Sequence, residues 1–260
     1  MPRVRLDQLL VDRGLARSKA EAQAIILAGQ VDLVGAPNRT LKPGQPVAPD
    51  AELSLVARPR WASRAGDKLD AALDAFSVDP AGLACLDAGA STGGFTDVLL
   101  SRGARIVYAV DVGRGQLIDR LRRDPRVVSM ERTNLRTLEA LPEPVALATL
   151  DLSFISLALV LPAVARLLTD DGRVVAIVKP QFEAGRDDVP RGGVVRDPSV
   201  WERVLTDVGR WAVDAGLVPV RAIRSPITGG DGNVEFLVWL ARSGADDGDW
   251  AASCARAVHG

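Results

Sequence analysis

The stretch Leu83 to Thr96, LACLDAGASTGGFT, decides the fold. An apolar run from Leu83 to Leu86 leads to the acid Asp87, then to a turn containing Gly89, Gly93 and Gly94, then to the start of an amphipathic segment. That succession predicts a strand, a tight loop and a helix N-terminus, the layout with which α/β proteins hold a nucleotide-like ligand at the carboxyl edge of a sheet. The three glycines carry no Cβ and are expected to let the backbone approach that ligand closely.

Outward from this turn, apolar runs alternate with helical spacing. Strands are expected near 83–88, 105–111, 126–130, 145–151, 173–179, 217–224 and 234–240, with helices between most of them. The alternation predicts an α/β domain with a Rossmann-like, seven-stranded, mostly parallel sheet covered on both faces. The last two strands, with no helix between them, predict an antiparallel edge. Just before the turn, Leu69, Ala72, Leu73 and Phe76 share one face of a helix starting at Gly66, which puts Lys68 in its first turn. A cation there opposes the helix dipole, and a placement that costs stability points to a use.

The ligand follows from the spacing. A dinucleotide wants G-x-G-x-x-G, whereas Gly89, Gly93 and Gly94 are spaced differently, and Asp87 would repel a pyrophosphate. An acid suits a cationic ligand, and S-adenosylmethionine carries an ammonium, a carboxylate and a sulfonium. Asp111 ends the second strand, about twenty residues on, where a carboxylate can accept from both ribose hydroxyls. Ala90 and Ser91 in the turn, Val112 beside Asp111, and Asn134 after the third strand complete the candidate cofactor set, although an Asn in a loop also serves as a turn former.

The N-terminal residues form a separate module. Leu6, Leu9 and Leu10 predict a first helix over 5–13, ended by Gly14, and Ser18 with Glu21 predicts a capping box that starts a second helix running to Gly29. Short strands are expected over 31–34 and 53–56. Arg58 and Pro59 break the periodicity, so residues 1–57 are expected as one domain, 58–62 as a linker with Trp61 as an anchor, and 63–260 as the second domain. Asp246 to Asp249 reads as loosely structured.

Composition bounds the function. The chain has 260 residues, 47% of them hydrophobic, enough for a substantial core, and a net charge of −1, so any nucleic acid must meet a local basic patch. Cys85 and Cys254 make no disulfide framework and fit a reducing cytoplasm. The longest apolar stretch, Phe154 to Ala165, is shorter than the roughly 18–20 residues that cross a bilayer, and no apolar leader is seen, so stable membrane insertion is not expected. No metal site is expected. Only Lys19, Lys42, Lys68 and Lys179 among the 32 basic residues are lysines, which draws attention to each.

Two resemblances then become specific. Residues 3–57, with RSKAEA opening the second helix and GQVDLVG closing the unit, resemble the S4 RNA-binding domain, which implies phosphate contacts by Arg3, Arg5, Arg17 and Lys19. DAGASTGGFT at 87–96, DVGRGQL at 111–117, DLSFISL at 151–157, VKPQFE at 178–183, GGVVRDP at 192–198 and GNVEFL at 232–237 are similar to the hemolysin A (TlyA) family. That family joins an S4 domain to an FtsJ-like, class I methyltransferase domain acting on the 2′-hydroxyl of cytidines in ribosomal RNA. The resemblance implies a catalytic tetrad at Lys68, Asp151, Lys179 and Glu235, with Arg64 beside it on the RNA. In the family pattern a glycine stands where this chain has Ala65.

The mechanism implied is in-line displacement, with a neutral Lys179 accepting the 2′-hydroxyl proton, Lys68 favouring that neutral form, and Asp151 and Glu235 orienting. Arginine, too basic to give up a proton, could not replace these lysines. The expected partner is ribosomal RNA within ribosomal subunits; DNA lacks the 2′-hydroxyl. A membrane-active hemolysin, and a ribosome-binding assembly factor without activity, are the alternatives weighed against the enzyme.

Overall fold

A computed structural model of the protein describes residues 3–27, 31–33, 41–55, 60–229, 232–243 and 249–260. Gly29, Val34, Val56, Arg58, Pro59 and Asp246, all used in the sequence reading, lie outside the described residues. The chain divides into two compact units, Met1–Arg60 and Trp61–Gly260.

The first unit contains β1 (Val4–Arg5), α1 (Leu6–Asp12), α2 (Lys19–Leu27), β2 (Val31–Leu33), β3 (Pro46–Val47) and β4 (Leu53–Leu55). β2 pairs with β4 and β1 with β3, both antiparallel. Leu6, Leu9 and Leu10 of α1 face Ala22 and Ile26 of α2 in one small core. Half of the expected capping box forms: Ser18 Oγ accepts from Glu21 N at 3.2 Å, but the Glu21 carboxylate reaches the amide and guanidinium of Arg17 instead of Ser18. The guanidinium offers a charge-assisted bond that a Ser18 amide cannot match.

The second unit runs α3 (Ala65–Phe76), β5 (Ala84–Ala88), α4 (Gly94–Ser101), β6 (Ile106–Val110), α5 (Asp119–Arg122), β7 (Val127–Met130), β8 (Val145–Leu150), α6 (Leu161–Leu167), β9 (Leu168–Val178), α7 (Pro180–Glu183), α8 (Pro198–Asp214), β10 (Val218–Arg224), β11 (Phe236–Ala241) and α9 (Trp250–His259). The seven-stranded sheet has the order β10-β11-β9-β8-β5-β6-β7. β5 pairs in parallel with both β6 and β8, so the strand order reverses beside β5, and the crevice of the fold opens between the carboxyl ends of β5 and β8.

The antiparallel edge expected of the last two strands forms: β10 and β11 pair antiparallel at one end of the sheet, with β11 inserted between β9 and β10 and β10 outermost. All six residues of β11 except Trp239 are buried, as an interior strand requires, whereas β10 is largely half-exposed. The two faces carry separate cores: one under α6, α8 and α9, the other under α3 and α4. Trp61, expected as a linker anchor, belongs to the second of these, where it fills the space that Gly66 leaves by having no Cβ.

Candidate active site

Sheet geometry brings the four tetrad residues to one place. Val175 and Ile177 of β9 point to the α3 face, so by strand alternation the next residue on that face is Lys179, immediately beyond the strand. Phe236 pairs with Val178 across the β9–β11 ladder, so extending that register by one residue sets Glu235 opposite Lys179. Lys68 lies on α3, the helix covering that face, and its ammonium forms an ion pair with the Glu235 carboxylate. Both are nearly excluded from solvent, at 8% and 3% exposure. The cation in the first turn of α3 is thus matched by an anion from a strand that lies 167 residues further along the chain.

Lys179 Nζ lies 2.6 Å from Asp151 Oδ1 and donates to Ser153 Oγ at 3.1 Å. The Asp151 contact is an ion pair whose direction departs from a hydrogen bond, so that buried oxygen has no donor aligned on it. The sequence reading had Lys68 acting on Lys179; in the structure each lysine has its own carboxylate.

A cleft of about 540 Å³ adjoins this cluster, lined by Gly89, Ser91, Asp111, Val112, Asn134, Asp151 and a wall of Leu135, Leu152, Ile155 and Val160 among others. Gly89 has φ +87, and a Cβ there would collide with the carbonyl oxygen of Asp151, so the turn and the end of β8 close on each other only because residue 89 is glycine. Asp111 accepts Ser91 N at 2.8 Å and Gly113 N at 2.6 Å, one on each oxygen, leaving lone pairs toward the cleft. Asn134 lines the cleft and also caps the short 3₁₀ turn that follows, accepting Arg136 N at 3.0 Å. Val112 is 72% exposed on the rim. Ala90 is buried, and its amide donates to Val110 O at 3.2 Å.

Three of the expected cofactor residues, Asp87, Gly93 and Gly94, are buried. Asp87 does not face the cleft: it is fully buried and accepts from Thr96 N at 2.8 Å and Thr96 Oγ1 at 2.6 Å through one oxygen, while the other has no partner. Asp87 points to the sheet face that α4 covers, and Thr96 of that helix closes over it. Burial pushes the Asp87 carboxyl up to about 7, against the lowering effect of Thr96. Gly93 and Gly94 are also required by packing. A Cβ on Gly93 would meet Leu117 and Leu121, and one on Gly94 would meet Ser63 and the backbone of Gly66.

Arg64 is exposed at the start of α3 and, with Ser63, Ala65, Lys68, Ile227 and Thr228, lines a second groove of about 220 Å³. In the first unit Arg3, Arg5, Arg17 and Lys19 are all exposed. Arg5 donates twice to the buried Asp7, at 2.9 and 2.7 Å, and that carboxylate also accepts from Gln23 Nε2 at 3.0 Å. Arg5 holds the Asp7 carboxyl far below its ordinary range, with Gln23 and Lys19 adding to the effect. Arg17 is paired with Glu21.

The sequence reading missed Ser153, Phe154 and Glu183. Phe154 is 90% exposed, has φ +62 and rests on Phe182 with ring centroids 4.9 Å apart. Its place in a quoted motif was the available signal, but hydropathy alone marks a phenylalanine as core.

An FtsJ-like methyltransferase family model matches residues 61–242. The chain is 48% identical over 261 aligned positions to the 16S/23S rRNA (cytidine-2′-O)-methyltransferase TlyA of Mycobacterium tuberculosis, spanning 99% of this chain and 96% of that one. Hemolysin A of Brachyspira hyodysenteriae is 38% identical over 90% of this chain and 98% of its own. A solved structure of a candidate hemolysin from Streptococcus thermophilus aligns with a TM-score of 0.75 and 43% identity over 99% of this chain and 96% of that chain.

Proposed function

The chain belongs to the FtsJ-like methyltransferase family, and from that premise we propose that it methylates the ribose 2′-hydroxyl of cytidine in ribosomal RNA, within 16S, 23S or both, using S-adenosylmethionine. The observation that carries the reading is the convergence of Lys68, Asp151, Lys179 and Glu235 beside the cleft at the reversal of the strand order.

The cleft fits the cofactor. Its volume of about 540 Å³ lies within the roughly 300–1,000 Å³ usual for such pockets. Asp111 keeps acceptor capacity for ribose hydroxyls, the Leu135, Leu152, Ile155 and Val160 wall is apolar enough for adenine, and the turn at Gly89 lines the same cleft. When bound, S-adenosylmethionine supplies an electrophilic methyl group on a sulfonium.

The chain's own residues prepare the hydroxyl. Once deprotonated, Lys179 can accept the 2′-hydroxyl proton at Nζ, with its hydrogen bond to Ser153 and the neighbouring Asp151 carboxylate holding the amine in place. Glu235, held by Lys68, forms the opposite wall of the site, and its position is limited by Gly229, where any Cβ would crowd the Glu235 carboxylate. Such alignment supplies much of the rate in a displacement of this kind.

The first unit is read as an S4-like RNA-binding domain, residues 1–57, with Arg3, Arg5, Arg17 and Lys19 meeting phosphates. In the second unit Arg64 is read as a further phosphate contact, and ribosomal subunits are the partner. No described helix is long and apolar enough to cross a membrane.

The test is transfer from methyl-labelled S-adenosylmethionine to purified ribosomal subunits, followed by nuclease digestion and identification of the labelled nucleoside. The expected product is 2′-O-methylcytidine, absent with Lys179→Arg although cofactor affinity stays near wild type. Label on a base, or substantial transfer by Lys179→Arg, would overturn the reading.

A further inference from the structure

Beyond the sheet, two irregular segments carry the working groups. Residues 151–156 leave the end of β8 with Asp151, Ser153 and Phe154, and Lys179 leaves the end of β9 and opens α7. The last parallel ladder pair between these strands is Leu150 with Ala176, so nothing in the sheet fixes the distance between the two segments further out.

Four contacts bridge that gap. Two are made by Lys179 itself, to Asp151 and Ser153, and must yield part of their geometry to the substrate. The third is the Phe154–Phe182 ring contact, which is apolar and weakly directional. The fourth is made by Glu183, the last residue of α7, whose carboxylate accepts from Ser156 Oγ at 2.6 Å and from Leu157 N at 3.0 Å. Ser156 in turn caps the 3₁₀ turn Leu157–Leu159.

We propose that Glu183 is a positioning residue for the methyl transfer, clamping the 151–157 segment against the α7 turn so that Asp151, Ser153 and Lys179 hold their mutual geometry. The inference rests on the proposed roles of Asp151 and Lys179. Two observations support it. Phe154 has φ +62, a left-handed conformation that costs a bulky residue stability and persists only where its surroundings determine it; the Glu183 bonds fix the far end of that segment. Glu183 is also half-buried, and burial raises its carboxyl above the ordinary range, against the bonds from Ser156 and Leu157. A desolvated carboxylate is a costly way to fill space unless its directional bonds are used.

The test uses the full chain with Glu183→Gln, Glu183→Ala and Ser156→Ala. Glutamine keeps the size and one acceptor oxygen but turns an amide toward the Leu157 N–H or the Ser156 hydroxyl. A misplacement of about 1 Å in a reacting group can cost on the order of 100-fold, so kcat should fall about tenfold in Glu183→Gln and more in Glu183→Ala, with the Kd for S-adenosylmethionine within about threefold of wild type. Ser156→Ala should lower kcat less, and should add little in the Glu183→Gln background. If Glu183→Ala does not fold, Glu183→Gln and Ser156→Ala carry the test. An unchanged kcat per folded molecule in Glu183→Gln, even with a lowered Tm, overturns the proposal, as does weakened cofactor binding with unchanged kcat. Lys179→Ala in the same assay separates the two claims: wild-type activity there defeats the tetrad reading whatever Glu183 does.

Discussion

Lys68→Met leaves Glu235 at 3% exposure with its ion-pair partner gone. Removing one member of a buried pair costs about 3–5 kcal/mol because the remaining charge keeps its desolvation penalty. The second unit spans Trp61–Gly260, and at about 2–4 °C per kcal/mol for a domain of that size the melting temperature should drop by roughly 6–20 °C. The double variant Lys68→Met, Glu235→Met removes both charges and fills similar volume, and such replacements are often neutral or stabilising by about 1–4 kcal/mol. Its melting temperature should therefore return to wild type or exceed it, while methyl transfer stays absent. Thermal melts monitored by circular dichroism, with the labelled-methyl assay on the same preparations, separate the two effects. A single variant that melts within a degree or two of wild type would refute the burial argument. A recovered double variant that still transfers methyl groups would refute the assignment of the pair to the reaction.

Gly89→Ala combines a left-handed φ with a Cβ that strikes the Asp151 carbonyl, so it should cost about 2–5 kcal/mol of stability and weaken cofactor binding, read by denaturant melts and titration calorimetry. Asp87→Asn tests the buried carboxyl. With its folded value at about 7 against an ordinary 3.8, the folded state holds a proton that the unfolded state releases, so stability falls as pH rises from about 4 to about 7 and then levels. The variant should lack that limb and gain relative to wild type above pH 7 in urea melts across pH; an identical pH profile would contradict it. Phe154→Ala removes an exposed ring beside the cleft, and since base stacking on an aromatic is worth about 1–3 kcal/mol, the KM for RNA should rise about 5- to 150-fold, with only a small fall in melting temperature from the lost Phe182 contact.

Strand positions were legible because β5, β6 and β8 are interior strands whose apolar runs stop where the chain leaves the sheet. Strand partners were not: the apolar pattern of Phe236–Ala241 announces a strand but not that it inserts between β9 and β10. The same distinction explains the site. Spacing along the chain placed Asp87 two residues before Gly89 yet could not say that its side chain turns inward to Thr96. The motifs named Lys68 and Glu235 separately, and only the packing of α3 over β11 shows that they neutralise each other. Glu183 and Ser156 stand in quoted motifs, yet nothing in the spacing pairs them, since their bond depends on how two irregular segments leave the sheet.

The central claim is that this cluster of two lysines and two carboxylates methylates a ribose hydroxyl of ribosomal RNA. Its most direct test maps 2′-O-methylation across both ribosomal RNAs in cells lacking the protein, complemented with wild type or with Lys179→Arg. The account predicts one or more cytidines whose ribose is methylated with the wild type and unmethylated with the variant. Identical methylation maps with and without the wild-type protein would contradict it.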